Sequence, residues 1–175
     1  MIKYILLIFC FSTISIAQQD DRGYIIKTGQ LAPDFNLKQS DGTVFSLSDH
    51  IGKVIMLQFT ASWCSVCLKE MPYIENEIWQ IYKSNEDFVL IALAKDTKKR
   101  QQGDNEISFM REKTQVTYAM ERDINSQIFQ LFAKEKAGVT RNIIINQKGE
   151  IEFLTRLFDK KEFDEMKSII KYLLN

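Results

Sequence analysis

Apolar and polar positions along the chain are ordered in a way that predicts alternating strands and helices. Residues 31–37 and 44–47 alternate apolar with polar, and the turn-forming residues 40–43 separate them, which predicts a β-hairpin. The near-continuous apolar runs 53–60 and 88–94 are typical of central strands buried on both faces. In chain order, the predicted strands are residues 33–37, 44–47, 53–60, 88–94, 116–120, 139–145 and 150–154.

Between these strands, apolar residues recur at intervals of three and four, which predicts amphipathic helices. The predicted helices are residues 64–83, 106–113, 124–134 and 159–174. Pro72 should kink the first, because proline lacks a backbone N–H, and Asp123 can cap the third. Residues 95–105 predict a surface loop whose basic cluster we interpret as a solvated face, with a partner-docking patch as the alternative. The expected architecture is a mixed α/β sheet with helices on both faces.

The first 17 residues have the composition of a secretory signal peptide. Lys3 supplies a positive charge, an apolar run follows, and small residues precede a cleavage position after Ala17. The run is shorter than the roughly 20 residues of a membrane-spanning helix, so an uncleaved anchor and a buried N-terminal helix are weaker alternatives. Residues 18–30 are polar and expected to be loose, and residues 31–175 form the predicted folded domain.

Composition narrows the possible functions. The 175 residues are 45% apolar and 26% charged, which is ordinary for a globular protein. Lys and Arg together number 23, as do Asp and Glu, and this balance argues against an electrostatic nucleic-acid binder. The single histidine, His50, limits metal sites and is interpreted as a surface loop residue. We expect no metal, no cofactor and no nucleic-acid partner.

Removal of residues 1–17 would leave two cysteines, Cys64 and Cys67, in an exported and oxidising compartment. A bridge between residues three apart constrains the unfolded chain little, so the pair is a poor structural staple. A buried strand ends near Thr60 and a helix begins at the cysteines. Cys64 at the helix N-terminus would therefore have a lowered thiol pKa and act as nucleophile, while the deeper Cys67 resolves the mixed disulfide. Metal binding and an inert disulfide remain the alternatives.

The sequence Trp63-Cys64-Ser65-Val66-Cys67, with Pro72 five residues after Cys67, resembles the active-site helix of the thioredoxin superfamily. The segment APDFNL and the later stretch AGVTRNIIINQKGEI are similar to exported proteins of the TlpA/ResA type, over roughly residues 29–174. The resemblance implies a thioredoxin fold with an added N-terminal β-hairpin. It also implies that Trp63 shields the site, although a core position is equally open. Glu70 would exchange a proton with Cys67, with an ordinary surface glutamate as the alternative.

Two residues depart from the pattern of the family. Thioredoxins carry a buried Asp where this chain has Gln58, which cannot titrate, so Glu70 is the better candidate base. The family usually places a cis-proline facing the cysteines, at the position of Thr140. Either the Val139–Thr140 bond is cis, at a cost of about 2.5–4 kcal/mol, or the loop is trans and reshaped. Val139 and Thr140 are the expected substrate-binding backbone, and the change puts substrate affinity in doubt.

The leading prediction is a periplasmic thiol–disulfide oxidoreductase, membrane-anchored if the signal is not cleaved. It would reduce protein disulfides, with apocytochrome c suggested by the family, and would be recharged by an upstream dithiol protein. The dipeptide Ser65-Val66 carries no group that stabilises a thiolate strongly, which predicts a reducing to intermediate potential. We expect a monomer without stable membrane insertion once the signal is removed. A redox-silent binding module and a peroxiredoxin-like peroxidase are the alternatives, the latter weakened because Ala61 stands where a hydroxyl is needed.

Overall fold

The computed structural model describes residues 22–175, and the predicted signal peptide lies outside them. A two-stranded antiparallel hairpin precedes a five-stranded mixed sheet with strand order β5-β4-β3-β6-β7. Strands β3, β4 and β5 are parallel, while β6 is antiparallel to both β3 and β7. The strands are β1 Asn36–Lys38, β2 Val44–Ser46, β3 Val54–Thr60, β4 Phe88–Lys95, β5 Ala119–Asp123, β6 Arg141–Ile145 and β7 Ile151–Leu154.

Helices cover both faces of the large sheet, as expected. They are α1 Ser65–Ile74, α2 Gln80–Tyr82, α3 Asp104–Thr114, α4 Phe129–Phe132 and α5 Lys160–Leu173, with a short 3-10 helix at Ser48–His50. Met71 and Ile74 of α1 share one core with buried residues of α3 and α5, whereas Cys67 of α1 shares the other core with α4 and the hairpin. This is the mixed α/β arrangement with an added hairpin that the sequence predicts. None of the helices in residues 22–175 is both long and apolar enough to span a bilayer.

Strand β3 separates the two cores. Its side chains alternate between faces, so Ile55, Leu57 and Phe59 enter the core beneath α4 while Val54 and Met56 enter the core beneath α1. All five are fully buried. A strand buried on both faces must read as a continuous apolar run, which explains the sequence pattern.

The first helix loses regularity after Pro72. A π-helical turn over Glu75–Trp79 follows α1 and leads into α2. Pro72 lacks the N–H that would bond to the preceding turn, and its own carbonyl accepts a bond from Asn76 Nδ2 at 2.8 Å. The irregularity expected at Pro72 therefore takes the form of a π-helical turn, in which backbone hydrogen bonds span five residues instead of four.

The described part of the segment expected to be loose, residues 22–30, packs on the domain instead. Tyr24 and Ile26 are buried. The Tyr24 hydroxyl donates to the Thr155 carbonyl at 2.6 Å, and the Ile25 N–H donates to the Phe132 carbonyl at 3.0 Å. The segment is held in place because its two buried side chains, Tyr24 and Ile26, pack against residues far along the chain.

The predicted helix 124–134 is wrong in extent. Asn125 and Ser126 adopt left-handed backbone conformations and confine the α-helix to Phe129–Phe132. The Asp123 carboxylate accepts the N–H groups of Ile128 at 2.9 Å and Phe129 at 2.8 Å, at the start of this shorter helix. Asp123 thus caps it from outside, because the N-cap residue of α4 is Ile128.

The surface loop predicted over residues 95–105 is buried in part. Lys95 ends β4, and its amine donates to the carbonyls of Glu135 and Ala137, each at 3.0 Å. Asp96 and Gln102 are also buried, because both serve as hydrogen-bond partners of neighbouring loops. The exposed residues of the range include the basic stretch Lys98, Lys99 and Arg100, and also Gln101, Asp104 and Asn105.

Candidate active site

Cys64 and Cys67 lie at the first turn of α1, directly after β3 and the turn that follows it. Cys64 is the N-terminal cap of the helix and accepts the backbone N–H of Cys67 at 3.2 Å. The two cysteines form a disulfide with their Cα atoms 5.3 Å apart. Cys64 is partly exposed while Cys67 is fully buried. A sulfur atom of a partner protein can therefore reach Cys64. Cys67 is closed to solvent, and the sulfur it contacts is that of Cys64.

Thr140 faces both sulfur atoms. Its hydroxyl is 3.1 Å from Cys64 Sγ and 3.0 Å from Cys67 Sγ, and the residue is buried. The Val139–Thr140 bond is trans, and Thr140 has a φ of 66°. Of the two conformations expected for a chain without the proline, the reshaped trans loop is therefore the observed one.

The backbone at Thr140 is strained and held from both sides. A β-branched residue in the left-handed region costs roughly 1–3 kcal/mol. The Thr140 N–H donates to the Phe59 carbonyl at 3.1 Å, and its carbonyl accepts the Leu157 N–H at 2.9 Å. These bonds fix the position that places a hydroxyl, absent from proline, next to both sulfurs of the disulfide.

Val139 does not present a free backbone carbonyl. This carbonyl accepts a hydrogen bond from the Arg156 guanidinium at 3.1 Å, and the Val139 side chain is buried. Gly138 allows the approach, since a Cβ there would lie 2.9 Å from the guanidinium. A substrate that pairs with this carbonyl, as the resemblance implies, would have to share it with Arg156 or displace that side chain.

Glu70 lies one helical turn after Cys67 and is 1% exposed, so it is no ordinary surface glutamate. Its Oε1 accepts Asn142 Nδ2 at 2.8 Å, whereas its Oε2 has no hydrogen-bond partner among the described residues. Burial raises the pKa of Glu70 to about 7, against the opposing effect of the Asn142 hydrogen bond. The group is therefore close to half-ionised at neutral pH.

Gln58 is fully buried in the same polar cluster, opposite Asn142 in the register of β3 and β6. Its Oε1 accepts the Tyr118 hydroxyl at 2.9 Å. Asn142 also donates to Thr155 Oγ1 at 3.0 Å. Sequence reasoning missed Asn142 and Thr155. For Asn142, the available signal was the polar pair Arg141-Asn142 at the head of an otherwise apolar strand.

Trp63 is not a core residue, since 37% of it is exposed. The Arg100 guanidinium carbon lies 5.4 Å from the centre of its ring. The N–H of the preceding Ser62 donates to Gln102 Oε1 at 2.8 Å. Trp63 thus forms an exposed wall beside Cys64, in contact with the basic loop that sequence reasoning had set apart from the site.

The groups that a metal site or a peroxidase would use are placed as follows. Across residues 22–175 there is no group of three His, Cys, Asp or Glu residues able to hold a metal ion. His50 stacks on Phe45 with ring centres 4.3 Å apart. The Thr60 hydroxyl is the nearest analogue of a peroxidase hydroxyl. It donates to Met71 Sδ at 3.7 Å, on the face of β3 that packs against Met71 and Ile74 of α1.

Comparison with known proteins gives consistent matches. A family model described as Redoxin matches residues 27–173. The chain is 28% identical over 147 residues to "Thiol-disulfide oxidoreductase ResA" of Geobacillus kaustophilus, covering 83% of this chain and 79% of that protein. A solution structure from Bacteroides thetaiotaomicron, described as a candidate protein disulfide isomerase, is 43% identical with a TM-score of 0.80 and covers 87% of this chain and 92% of that one. A candidate thiol:disulfide interchange protein DsbE from Chlorobium tepidum shares the fold at 24% identity, with a TM-score of 0.69 and coverage of 86% and 99%.

Proposed function

Since the chain belongs to the Redoxin family and is a thiol–disulfide oxidoreductase of the thioredoxin type, we propose that it reduces disulfide bonds of other proteins in the cell envelope. The observation that supports this best is the pairing of a partly exposed Cys64 with a buried Cys67 at the start of α1. The envelope location is supported by the signal-like residues 1–17 alone.

In the first step, the reduced enzyme forms a mixed disulfide. The Cys64 thiolate attacks one sulfur of the substrate disulfide, the substrate S–S bond breaks, and the other substrate sulfur leaves as a thiolate. The helix N-terminus and the Thr140 hydroxyl, 3.1 Å from Cys64 Sγ, both favour the thiolate that starts this step.

In the second step, Cys67 resolves the mixed disulfide. The Cys67 thiol gives its proton to the Glu70 carboxylate, and the resulting thiolate attacks Cys64 Sγ. The intermolecular bond breaks and the second substrate sulfur leaves as a thiolate. Two electrons have then passed to the substrate, and an upstream dithiol protein returns the enzyme disulfide to the dithiol.

A turnover assay and a trapping experiment test the proposal. The protein should reduce insulin in the presence of dithiothreitol, and Cys64→Ser should abolish this activity. Cys67→Ala should accumulate mixed disulfides with envelope proteins, which mass spectrometry would identify, and apocytochrome c is one expected class. An inert wild-type protein would favour the redox-silent binding module.

A further inference from the structure

We propose that the basic loop beside Trp63 docks an acidic segment of the partner protein, close in its sequence to the disulfide being reduced. We call Lys98, Lys99 and Arg100 the basic platform. The inference rests on the proposed function and names the charge of the substrates that the enzyme prefers.

The basic platform borders a groove that includes Trp63, the residue immediately before Cys64. Ser62, Trp63 and the platform line this groove, together with Arg122 and one acidic residue, Glu106, whose carboxylate accepts the Gly103 N–H at 2.9 Å. The Arg100 guanidinium carbon lies 5.4 Å from the Trp63 ring centre, so the platform reaches the residue immediately before Cys64. A substrate whose disulfide contacts Cys64 therefore brings its flanking residues over these positive charges.

The backbone of the loop is held in place, so the platform keeps its position beside Trp63 before a partner arrives. Thr97 and Arg100 exchange backbone hydrogen bonds of 2.9 and 3.2 Å. At the end of the loop, the Gln102 N–H donates to Asp96 Oδ1 at 2.7 Å, and Gln102 Oε1 accepts the Ser62 N–H at 2.8 Å. A preorganised surface loses little conformational freedom on binding.

The positive charge of the platform is not neutralised within the described residues. Lys98, Lys99 and Arg100 are exposed, and none of them forms an ion pair with another residue of 22–175. The groove's other cation, Arg122, is paired with Asp96 at 2.9 Å. Because the whole chain has a formal net charge of zero, this is a local concentration of charge at the site.

The site also lacks an obvious alternative for recognition. The Val139 carbonyl is already bonded to Arg156 and the Val139 side chain is buried. Trp63 and Ser65, on either side of Cys64 in the chain, are exposed, and of the exposed groups around them the platform carries the concentrated charge. Complementary charge would then speed the encounter and align the substrate disulfide.

The test compares three synthetic cystine-bridged peptides that differ only in flanking residues: three Glu, three Ser or three Lys. Rates of reduction by the reduced wild-type protein are measured by stopped flow at about 20 mM and about 500 mM salt. At low salt the Glu peptide should react roughly tenfold faster than the Ser peptide and the Lys peptide slower, and high salt should reduce both differences.

Two triple variants with the same change of charge separate location from net charge. Lys98→Glu, Lys99→Glu, Arg100→Glu should reverse the ratio of Glu-peptide to Lys-peptide rates. Lys83→Glu, Lys148→Glu, Lys171→Glu changes three exposed lysines at the other end of the sheet and should leave that ratio unchanged. Equal wild-type rates for all three peptides, or the same loss of preference in both variants, would overturn the docking proposal alone. Failure of the wild type to reduce even the Ser peptide would overturn the proposed function as well.

Discussion

Replacement of Thr140 by Val tests whether its hydroxyl stabilises the reactive thiolate. The two side chains have the same shape and branching, so the substitution removes the hydroxyl without a large change in volume or in the cost of the left-handed backbone. In the disulfide form this hydroxyl contacts two neutral sulfurs, at 3.1 and 3.0 Å. After reduction, the contact to Cys64 becomes a hydrogen bond to an anion, which is the stronger kind.

The expected magnitude follows from that difference. A hydrogen bond to a charged group contributes about 1.5–3 kcal/mol, and one pKa unit corresponds to about 1.4 kcal/mol. Thr140→Val should therefore raise the pKa of the Cys64 thiol by about one to two units. The reduced form is destabilised, so the reduction potential should fall by about 30–60 mV at a pH where Cys64 is ionised.

The assay is the pH dependence of Cys64 alkylation by iodoacetamide in the reduced protein, followed by intact mass. Thr140→Ser keeps the hydroxyl, so its Cys64 thiol should titrate like that of the wild type. Circular dichroism is the control that both variants fold. If the Val variant and the wild type share one alkylation midpoint, the hydroxyl does not stabilise the thiolate and the role assigned to Thr140 is wrong.

Three further substitutions test the buried carboxylates and the N-terminal segment. Burial raises the pKa of Glu70 from 4.5 to about 7, so the oxidised wild type should lose about 3 kcal/mol of stability as the pH rises through that interval. Glu70→Gln should abolish this loss in urea unfolding at pH 5 and pH 8, and an unchanged loss would exclude Glu70 as its cause. Asp123→Ala leaves the N–H groups of Ile128 and Phe129 without their cap and should lower the free energy of unfolding by about 1–2 kcal/mol, with Asp123→Asn closer to wild type. Tyr24→Phe removes the 2.6 Å bond to the Thr155 carbonyl and should cost about 1 kcal/mol in the same assay, whereas no change would mean that residues 22–26 contribute little to stability.

The architecture was predictable because its main strands are buried on both faces. Such strands must be apolar at every position, and the runs that became β3 and β4 stand out for that reason. The extent of α4 was not predictable, because Asn125 and Ser126 occupy left-handed conformations that periodicity does not reveal. The packing of Tyr24 depends on Thr155, a contact between distant positions in the chain.

Some features of the candidate site were predictable from the sequence, and others depended on the fold. The cysteine spacing and the strand before it indicated the disulfide, because that geometry is local. The position of Thr140 came from a family resemblance, but its contact with both sulfurs required the fold of a distant loop. The partner of Glu70 depended on the register that places Gln58 opposite Asn142.

The relocation of the buried acid from strand to helix has a mechanistic consequence. Where the thioredoxin pattern has an Asp, Gln58 supplies a neutral amide, and Glu70 is the group of this buried cluster with a pKa near neutrality. Asn142 holds one carboxylate oxygen and leaves the other without a partner among the described residues, so the second oxygen is available for a proton. An acid with a pKa of about 7 can both accept and return a proton near neutral pH, which is what an exchange with Cys67 requires. Glu70→Gln should therefore have two separable effects. It removes the pH dependence of stability in the oxidised protein. During turnover, it slows the attack of Cys67 that resolves the mixed disulfide between Cys64 and the substrate.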